Sequence, residues 1–310
     1  MNSIPSTHIT LALDAGQTGV RTLLIDGDIR SLKQFPGVKT DRALFPQLAE
    51  YITTAVEGVN KPVSLSIGMT GLTAAQSKPA DLLNLLPAIV RNVSLAHDSI
   101  TGYLGALGTQ NGVVTAVGTG VVTLGVGDTE MVRIDGWGNL IGDAGSAYWI
   151  GRAGLEAGMR VYDGRIASSS LLSLLTENFS HPEEAYIELQ TSNDRVAWIA
   201  SFAQRVIELA EADDEARRIV NGAGQELALS AVTAAERVGL LDSDSPRFSW
   251  VGNVMKAEML KDAFVSAVVK AIPHAQFVTA LAEPIDGVAL LSALPETSPL
   301  RASIHSASRH

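Results

Sequence analysis

Residues 9–26 read ITLALDAGQTGVRTLLID, which predicts two apolar strands, Ile9 to Leu13 and Val20 to Asp26, joined by a glycine-rich turn. The two glycines of the turn let the backbone bend tightly, so that its N–H groups and the Thr18 hydroxyl can converge on an anion. Asp14 at the end of the first strand could hold Mg²⁺, through water. An ordinary hairpin with polar turn residues explains this turn equally well.

A second glycine-turned hairpin is predicted about one hundred residues later. Gly118-Thr119-Gly120 lies between two apolar strands, Val113 to Val117 and Val121 to Val126. The chain contains no Gly-Lys dipeptide, and therefore no Walker A loop, and no GxGxxG motif. Two such turns suggest two loops that close on one polyphosphate, so a bound ATP would be held by hairpins.

Strand and helix patterns alternate along the rest of the chain, which predicts an α/β fold with mixed sheets. Further strands are predicted at Val63 to Ile67, Val93 to Ala96, Arg247 to Val251 and Gln276 to Leu281. Helices are predicted at Ala43 to Val56, Ala80 to Val90, Ser99 to Gly108, Ala144 to Tyr162, Ser169 to Thr176, Arg195 to Glu211, Asp214 to Val238, Val254 to Ala271 and Asp286 to Leu294. Residues 27–42 are predicted to be a loop, and residues 296–310 a flexible tail.

The composition excludes several classes of function. The chain has 310 residues, 23 basic against 33 acidic side chains, and a net charge of −10. This balance argues against nucleic-acid binding, which needs a basic face. The absence of cysteine excludes iron–sulfur clusters and thiolate zinc sites. No signal peptide and no run of about 20 apolar residues is found, so we expect a cytoplasmic protein without a membrane partner.

His97-Asp98 is predicted to follow the carboxyl end of a strand, where open α/β sheets bind their ligands. A carboxylate there could accept the proton of an attacking hydroxyl group during phosphoryl transfer. From the residues alone, Asp98 is more simply explained as the N-cap of the helix that follows.

The segment from Asp135 to Arg152 is the most distinctive of the chain, since it contains five glycines around Trp137 and Asp143, immediately before a helix. Such a glycine density suits a pocket in which backbone approaches a polyhydroxylated ligand closely. Asp143 could bind two hydroxyl groups or cap the helix. Trp149 and Ile150 are better explained as core residues.

Together these motifs resemble the N-acetylglucosamine kinase and BadF/BadG/BcrA/BcrD-type ATPase family, within the superfamily of sugar kinases, actin and the Hsp70 chaperones. The resemblance is carried, in chain order, by Asp14 to Arg21, Asp98, Gly118 to Gly120, Gly136 to Gly151 and Val251 to Val254. The run from Gly-Trp-Gly to Tyr-Trp-Ile-Gly is specific, whereas the other motifs are weak when taken singly.

The resemblance implies two ribonuclease-H-like domains of the actin-like ATPase type, with mixed sheets that flank a nucleotide and sugar cleft. On this basis, residues 1–109 would form the N-terminal domain, joined by the C-terminal helix 286–295, and residues 110–285 a helix-rich C-terminal domain. The resemblance also implies a homodimer.

The activity implied is ATP-dependent phosphorylation of an amino sugar, in which Asp98 activates the primary hydroxyl group for attack on the γ-phosphate. ATP and Mg²⁺ are the implied cofactors, with Asp14 on the metal side. The implied nucleotide contacts are Gly16, Gln17, Thr18, Gly118, Thr119, Gly120, Gly222, Gly252 and Asn253. The implied sugar contacts are Asp41, Asp98, Trp137, Gly138 and Asp143.

The chain departs from the family pattern at several positions. Ala15 and Gln17 replace glycines of the first loop, and Ala144 replaces the Glu of Gly-Asp-Glu-Gly. Val122 replaces an Asn after the second turn, and Asp41 aligns with another Asn. The last two changes suit a cationic 2-amino group, so glucosamine, or another hexose, remains an alternative to N-acetylglucosamine.

Two other functions are associated with this fold, and the sequence excludes one of them. The ATP-driven electron activators of 2-hydroxyacyl-CoA dehydratases hold an iron–sulfur cluster with cysteines, and a chain without cysteine is excluded from that class. A non-catalytic sugar or nucleotide sensor remains open, although such a sensor would not need a base at Asp98.

Overall fold

The computed structural model describes residues 8–16, 19–39, 42–72 and 77–309. The predicted site residues Gln17, Thr18 and Asp41 lie outside the described residues. The strands are β1 (Ile9–Ala15), β2 (Val20–Asp26), β3 (Ile29–Phe35), β4 (Val63–Met69), β5 (Val90–His97), β6 (Gly112–Val117), β7 (Val121–Val126), β8 (Met131–Ile134), β9 (Arg247–Val251), β10 (Gln276–Phe277) and β11 (His305–Ser308). The α-helices are α1 (Leu44–Ala55), α2 (Pro79–Leu85), α3 (Asp98–Leu107), α4 (Ala147–Tyr162), α5 (Ser173–Thr176), α6 (Ala185–Thr191), α7 (Arg195–Leu209), α8 (Asp214–Arg237), α9 (Glu258–Ala271) and α10 (Pro284–Leu290).

The chain divides into two compact units, each built around a mixed sheet, which confirms the predicted α/β class. Unit 1 contains Met1–Gln110, Asp128–Glu130 and Ala280–His310, and unit 2 contains Asn111–Gly127 and Met131–Thr279. Among the described residues, no helix is both long and apolar enough to cross a lipid bilayer.

The sheet of unit 1 has the strand order β11-β5-β4-β1-β2-β3. Strands β1, β4 and β5 run parallel, with Asp14 beside Gly68 and Met69 beside His97. Strand β2 runs antiparallel to β1, the edge strand β3 runs antiparallel to β2, and β11 runs antiparallel to β5 at the other edge. Because parallel strands end at the same edge, the residues that follow β1, β4 and β5 lie together.

The two faces of this sheet are covered by different helices. Large side chains such as Leu11 and Leu13 pack with α1 and α2 in one buried cluster. The residues Ala12, Ser66 and Gly68 are small and allow α3 and α10 to approach the opposite face closely. A Cβ atom at Gly68 would lie 2.5 Å from the Thr101 hydroxyl oxygen.

The sheet of unit 2 has the strand order β10-β9-β6-β7-β8, in which β6 runs parallel to β9 and antiparallel to β7. Helix α8 packs on this sheet through a stripe of small residues, and a Cβ atom at Gly125 would lie 2.8 Å from the Ala234 carbonyl oxygen. The core of this unit extends over α4, α7, α8 and α9. The unit is helix-rich and contains α4 to α9.

The structure corrects the prediction that two stretches lack regular structure. The stretch 27–42 contains β3, an edge strand whose side chains are almost all exposed, so no alternation of apolar residues marks it. The stretch 296–310 contains a 3₁₀ helix, Pro299–Ser303, and the polar strand β11. Backbone pairing with β5 and a hydrogen bond of 2.7 Å from the Arg309 guanidinium to the Leu86 carbonyl group hold this end of the chain.

Helix α10 crosses α3 at two glycines, Gly105 and Gly287. We predict that a side chain at this crossing lowers the stability of the protein. A Cβ atom at Gly287 would overlap the backbone of Thr101 and Gly105. We therefore expect Gly287→Ala to lower the free energy of unfolding by about 1–3 kcal/mol in denaturant titrations.

The matched control is Gly222→Ala in α8, where the new methyl group would lie 3.5 Å from the Trp149 ring. Alanine is favoured over glycine within a helix by about 1 kcal/mol, so this variant should be as stable as the wild type or more so. Equal stability of the two variants would contradict the close crossing.

Candidate functional site

The carboxyl edge of the unit 1 sheet brings together polar residues from three successive strand ends. Asp14 lies near the end of β1, Thr70 follows β4, and His97 and Asp98 join β5 to α3. The Thr70 N–H donates to the Ala15 carbonyl oxygen at 3.2 Å, which ties two of these ends together.

The Asp98 carboxylate is held through both of its oxygens. The Thr70 hydroxyl donates to Oδ2 at 2.7 Å, and His97 Nδ1 lies 2.9 Å from Oδ1. Burial raises the pKa of Asp98, but hydrogen bonds from His97, Thr70 and the Ser99 N–H outweigh it, and the net effect lowers the pKa. Asp98 is therefore ionised at neutral pH.

The alternative prediction, that Asp98 is the helix N-cap, is wrong. Asp98 is the first residue of α3, and the N-cap is His97, whose Nδ1 lies 3.2 Å from the Ser99 amide nitrogen. The Asp98 carboxylate is one-third exposed. It is thus available to an external hydroxyl group while its orientation is set by its neighbours.

The Asp14 carboxylate has a basic partner that sequence reasoning did not assign. Arg21 lies opposite Asp14 in the β1–β2 hairpin, and its guanidinium bonds Asp14 Oδ2 at 2.8 Å and Glu283 Oε2 at 2.7 Å. Burial lowers the pKa of Arg21, but the bonds to the two carboxylates outweigh this effect and raise it. The predicted hairpin places Asp14 opposite Arg21, and this pairing was the signal in the sequence for their contact.

In unit 2 the second glycine turn is joined to the start of α4. The Gly118 N–H donates to Gly120 across the turn at 2.8 Å. The carbonyl groups of Gly118 and Thr119 accept from the N–H groups of Ala147 and Tyr148, at 3.0 and 3.1 Å. Because its carbonyl groups are used in this way, the turn has a fixed conformation at the N-terminus of a helix, where anions are favoured.

The Asp135 carboxylate binds N–H groups of the loop that precedes α4. No role was assigned to this residue from the sequence. Its Oδ1 accepts from the N–H groups of Gly136 and Asp143 at 2.7 and 2.8 Å, and its Oδ2 accepts from Ala144 at 3.1 Å. The residue has a positive φ of 58°, which Asp tolerates better than most residues. An Asp-Gly pair directly after a strand was the available signal.

Asp143 is buried, with 8 % of its surface exposed, and its carboxylate lies against the second glycine turn. The Val121 N–H donates to Oδ1 at 3.4 Å, and a Cβ atom at Gly120 would lie 2.7 Å from Oδ2. Burial and the charge of Asp135 raise the pKa of Asp143 above its ordinary value, although N–H donors oppose this. The structure therefore brings together two predicted motifs, the glycine turn and Asp143.

Two further predicted nucleotide residues, Gly252 and Asn253, follow β9 at the same edge as the turn after β6. Gly252 has a φ of 107°, and a side chain there would overlap the Val117 carbonyl oxygen, so only glycine fits. Gly222 lies on α8 beside the Trp149 ring. Ile150 is fully buried and Trp149 packs against the same core, as expected.

Trp137 and Gly138 lie on the exposed side of the Asp135 loop. The Trp137 side chain is 59 % exposed, and the Arg133 guanidinium lies 4.7 Å from the centre of its ring. The same guanidinium donates to the carbonyl groups of Asp135 and Gly136. These bonds keep Arg133 against one face of the Trp137 ring. One face of the indole thus remains open to a ligand.

The part of the chain that the structure describes contains no group of three or more His, Asp or Glu side chains arranged to hold a metal ion. Asp14 therefore provides a single carboxylate. Mg²⁺ in phosphate-binding sites is commonly held by one or two carboxylates, with phosphate oxygens and water completing its coordination.

Comparison with known proteins identifies a family and two curated relatives. Residues 47–292 match the BadF/BadG/BcrA/BcrD ATPase family. An N-acetyl-D-glucosamine kinase of Dictyostelium discoideum is 26 % identical over 93 % of this chain and 98 % of its own. An N-acetylmuramic acid/N-acetylglucosamine kinase of Clostridium acetobutylicum is 28 % identical over 56 % of this chain and 58 % of its own.

Solved structures share the fold at low sequence identity. A Chromobacterium violaceum protein, provisionally assigned as an N-acetylglucosamine kinase, superposes with a TM-score of 0.72 at 21 % identity, over 91 % of this chain and 98 % of its own. The ROK hexokinase of Thermus thermophilus superposes with a TM-score of 0.58 at 17 % identity, over 95 % of this chain and 99 % of its own. Both chains therefore share the two-sheet α/β architecture along nearly their whole length.

The contacts of Asp135 predict that this side chain stabilises unit 2. Asp135→Ala would leave its N–H partners without an acceptor and place alanine at a positive φ. We expect a loss of about 2–4 kcal/mol in the free energy of unfolding. Asp135→Asn keeps one acceptor oxygen and tolerates this φ, so its loss should be roughly half as large.

The matched control is Asp242→Asn, which removes the same charge from an exposed residue of unit 2. Denaturant titration of the three variants ranks them. If Asp135→Ala were as stable as Asp242→Asn, the loop would not depend on the Asp135 carboxylate.

Proposed function

The chain belongs to the BadF/BadG/BcrA/BcrD ATPase family, and from that premise we propose that it transfers the γ-phosphoryl group of ATP to the primary hydroxyl group of an amino sugar. The observation that carries this proposal is the Asp98 carboxylate, ionised, partly exposed and oriented through both oxygens at the carboxyl edge of a sheet. The names of the two curated relatives, both sugar kinases, support the class of acceptor.

In the proposed step, the hydroxyl oxygen of the sugar forms a bond to the γ-phosphorus while the bond to the β-phosphate oxygen breaks and ADP leaves. The hydroxyl proton passes to the Asp98 carboxylate. A carboxylate with a lowered pKa is a weak base, so its main contribution is to aim the hydroxyl oxygen at phosphorus. This suits a loose transition state, in which little proton transfer is needed before the phosphorus–oxygen bond breaks.

We assign nucleotide binding to the glycine turns. In unit 2, the fixed turn Gly118 to Gly120 and the adjoining Gly252 and Asn253 would present backbone N–H groups and the Thr119 hydroxyl to phosphate, with Gly222 on the adenosine side. At Gly120 and Gly252 a side chain would overlap Asp143 and the Val117 carbonyl oxygen, so packing within unit 2 requires glycine at both positions. In unit 1, Gly16 has this role, together with Gln17 and Thr18 outside the described residues.

Mg²⁺ is the proposed cofactor, and its chemistry is to neutralise the charge that develops on the β- and γ-phosphate oxygens. The Asp14 carboxylate near the end of β1 is an oxygen donor, the kind of ligand that this hard cation prefers. Asp14 would hold it through water with the oxygen that Arg21 does not bind. The Arg21 bridge to Glu283 fixes the direction of the Asp14 carboxylate.

We propose Asp98, Trp137, Gly138 and Asp143 as the sugar contacts, because the family resemblance implies these four residues. The open face of Trp137 suits the apolar face of a pyranose ring, and the buried Asp143 suits hydroxyl groups. Asp41, outside the described residues, belongs to the same assignment. N-acetylglucosamine is our first candidate and glucosamine the alternative, since Val122 and Asp41 replace amide side chains of the family. We also propose a homodimer, from the family resemblance alone, and a cytoplasmic location, from the composition of the chain.

The proposal is tested by ADP release with Mg·ATP against glucose, glucosamine and N-acetylglucosamine. We compare the wild type with Asp98→Asn and with Asp81→Asn, which removes the same charge from an exposed residue of α2. We expect turnover that depends on an amino sugar, a loss of kcat of about 10²–10⁴-fold in Asp98→Asn, and no change in Asp81→Asn.

The contrary results have distinct meanings. If wild-type protein releases no ADP with any of these sugars, a non-catalytic sugar or nucleotide sensor becomes the better interpretation. Full activity in Asp98→Asn would remove Asp98 from the mechanism. A strong preference for N-acetylglucosamine in kcat/KM would reject the glucosamine alternative.

A further inference from the structure

We propose that His97 is a positioning residue that acts through Asp98, donating from Nδ1 to one carboxylate oxygen while Thr70 donates to the other. This inference rests on the proposed function, because Asp98 is the group that would receive the proton of the sugar. Neither His97 nor Thr70 was assigned a role from the sequence. Their contacts lie entirely within unit 1.

The geometry gives each Asp98 oxygen its own donor. Oδ2 accepts the Thr70 hydroxyl at 2.7 Å, and Oδ1 lies 2.9 Å from His97 Nδ1. Each carboxylate oxygen can accept two hydrogen bonds, so an outer lone pair remains for the sugar hydroxyl. Two donors from different strand ends prevent the carboxylate from rotating, and its remaining lone pairs therefore have a fixed direction.

The position of the proton on His97 follows from its three neighbours. Nδ1 lies 2.8 Å from the Ser99 hydroxyl, 3.2 Å from the Ser99 amide nitrogen and 2.9 Å from Asp98 Oδ1. If Nδ1 only accepted from Ser99, its lone pair would face an ionised carboxylate oxygen at close range, which is repulsive. With a proton on Nδ1, the contact to Oδ1 is a hydrogen bond, and the Ser99 N–H has Asp98 as an alternative acceptor.

The hydrogen bonds from His97 and Thr70 lower the pKa of Asp98. Their contribution can therefore be measured as a change in that pKa when a donor is removed. Removal of a donor from an ionised carboxylate destabilises the charged form and raises the pKa of the acid. A residue that only stabilised the fold would leave the titration of Asp98 unchanged. The acid limb of the pH profile thus distinguishes positioning from a structural role.

Other charged groups near this edge already have partners. Asp14 and Glu283 both bond Arg21, and Asp286 of α10, the helix that packs on α3, bonds Arg30. Among the described residues, His97 is the titratable group in contact with the Asp98 carboxylate, and Thr70 and Ser99 are its neutral donors. A shift of the acid limb on mutation of His97 is therefore attributed to that contact.

The experiment compares matched pairs in the full-length protein. His97→Ala removes the donor, whereas His97→Asn places an amide N–H where Nδ1 lies. Thr70→Val removes the hydroxyl donor to Oδ2, whereas Thr70→Ser keeps it. For each protein we measure kcat, the KM for the amino sugar and the pH dependence of kcat/KM.

For His97→Ala and Thr70→Val we expect kcat to fall about 10- to 100-fold, as for the loss of a hydrogen bond to a charged group. The acid limb should move to higher pH. His97→Asn and Thr70→Ser should restore most of kcat and return the acid limb toward its wild-type position. Equal losses in the Ala and Asn variants, with no movement of the acid limb, would overturn the proposal.

A second measurement does not depend on turnover. The ¹³C signal of the Asp98 carboxyl group, identified by its absence in Asp98→Asn, is titrated in the wild type and in His97→Ala and Thr70→Val. We expect its pKa to rise in both variants, and an unchanged titration in both would refute the positioning role. A wild type without sugar-dependent turnover would refute the proposed function instead, and the carboxyl titration would still decide the contacts of Asp98.

Discussion

The crossing of α10 over α3 in unit 1 is the contact on which the position of Asp98 depends. Side chains at Gly105 and Gly287 would collide with backbone of the opposite helix, and Gly68 of β4 leaves room for Thr101 of α3. Since Asp98 begins α3, the packing that fixes this helix also fixes the carboxylate at the sheet edge. A segment near the C-terminus therefore supports a residue found early in the sequence.

In unit 2 a partly buried network of hydrogen bonds fixes the loop before α4. The Asp135 carboxylate accepts hydrogen bonds from N–H groups at both ends of the glycine-rich loop. The Asp143 carboxylate accepts the Val121 N–H and so connects this loop to the turn at Gly120. Charge-assisted hydrogen bonds are stronger than neutral ones, so one carboxylate can hold a loop that has few side chains of its own. The glycines supply the conformational freedom, and Asp135 restricts it to one conformation.

Much of the fold could be predicted from the sequence, because buried strands carry continuous apolar runs. Strands β1, β2, β6, β7 and β9 were predicted within a few residues, whereas the exposed β3 and the polar β11 show no pattern that a sequence reveals. Within the site, Asp14, Asp98 and the glycine turns could be identified from their motifs. Thr70 could not, because its role arises from the register of β4 and β5. Arg21 and Asp135 had weaker signals, in the pairing across the hairpin and in an Asp-Gly pair after a strand.

The central claim, phosphoryl transfer to a sugar rather than simple hydrolysis of ATP, is tested most directly by the products. Wild-type protein is incubated with Mg·ATP and each amino sugar, and the sugar is analysed by mass spectrometry and ³¹P NMR while ADP is quantified. Our account expects one phosphosugar for each ADP formed, with the phosphate on the primary hydroxyl group. Formation of ADP and inorganic phosphate with the sugar unchanged would contradict it.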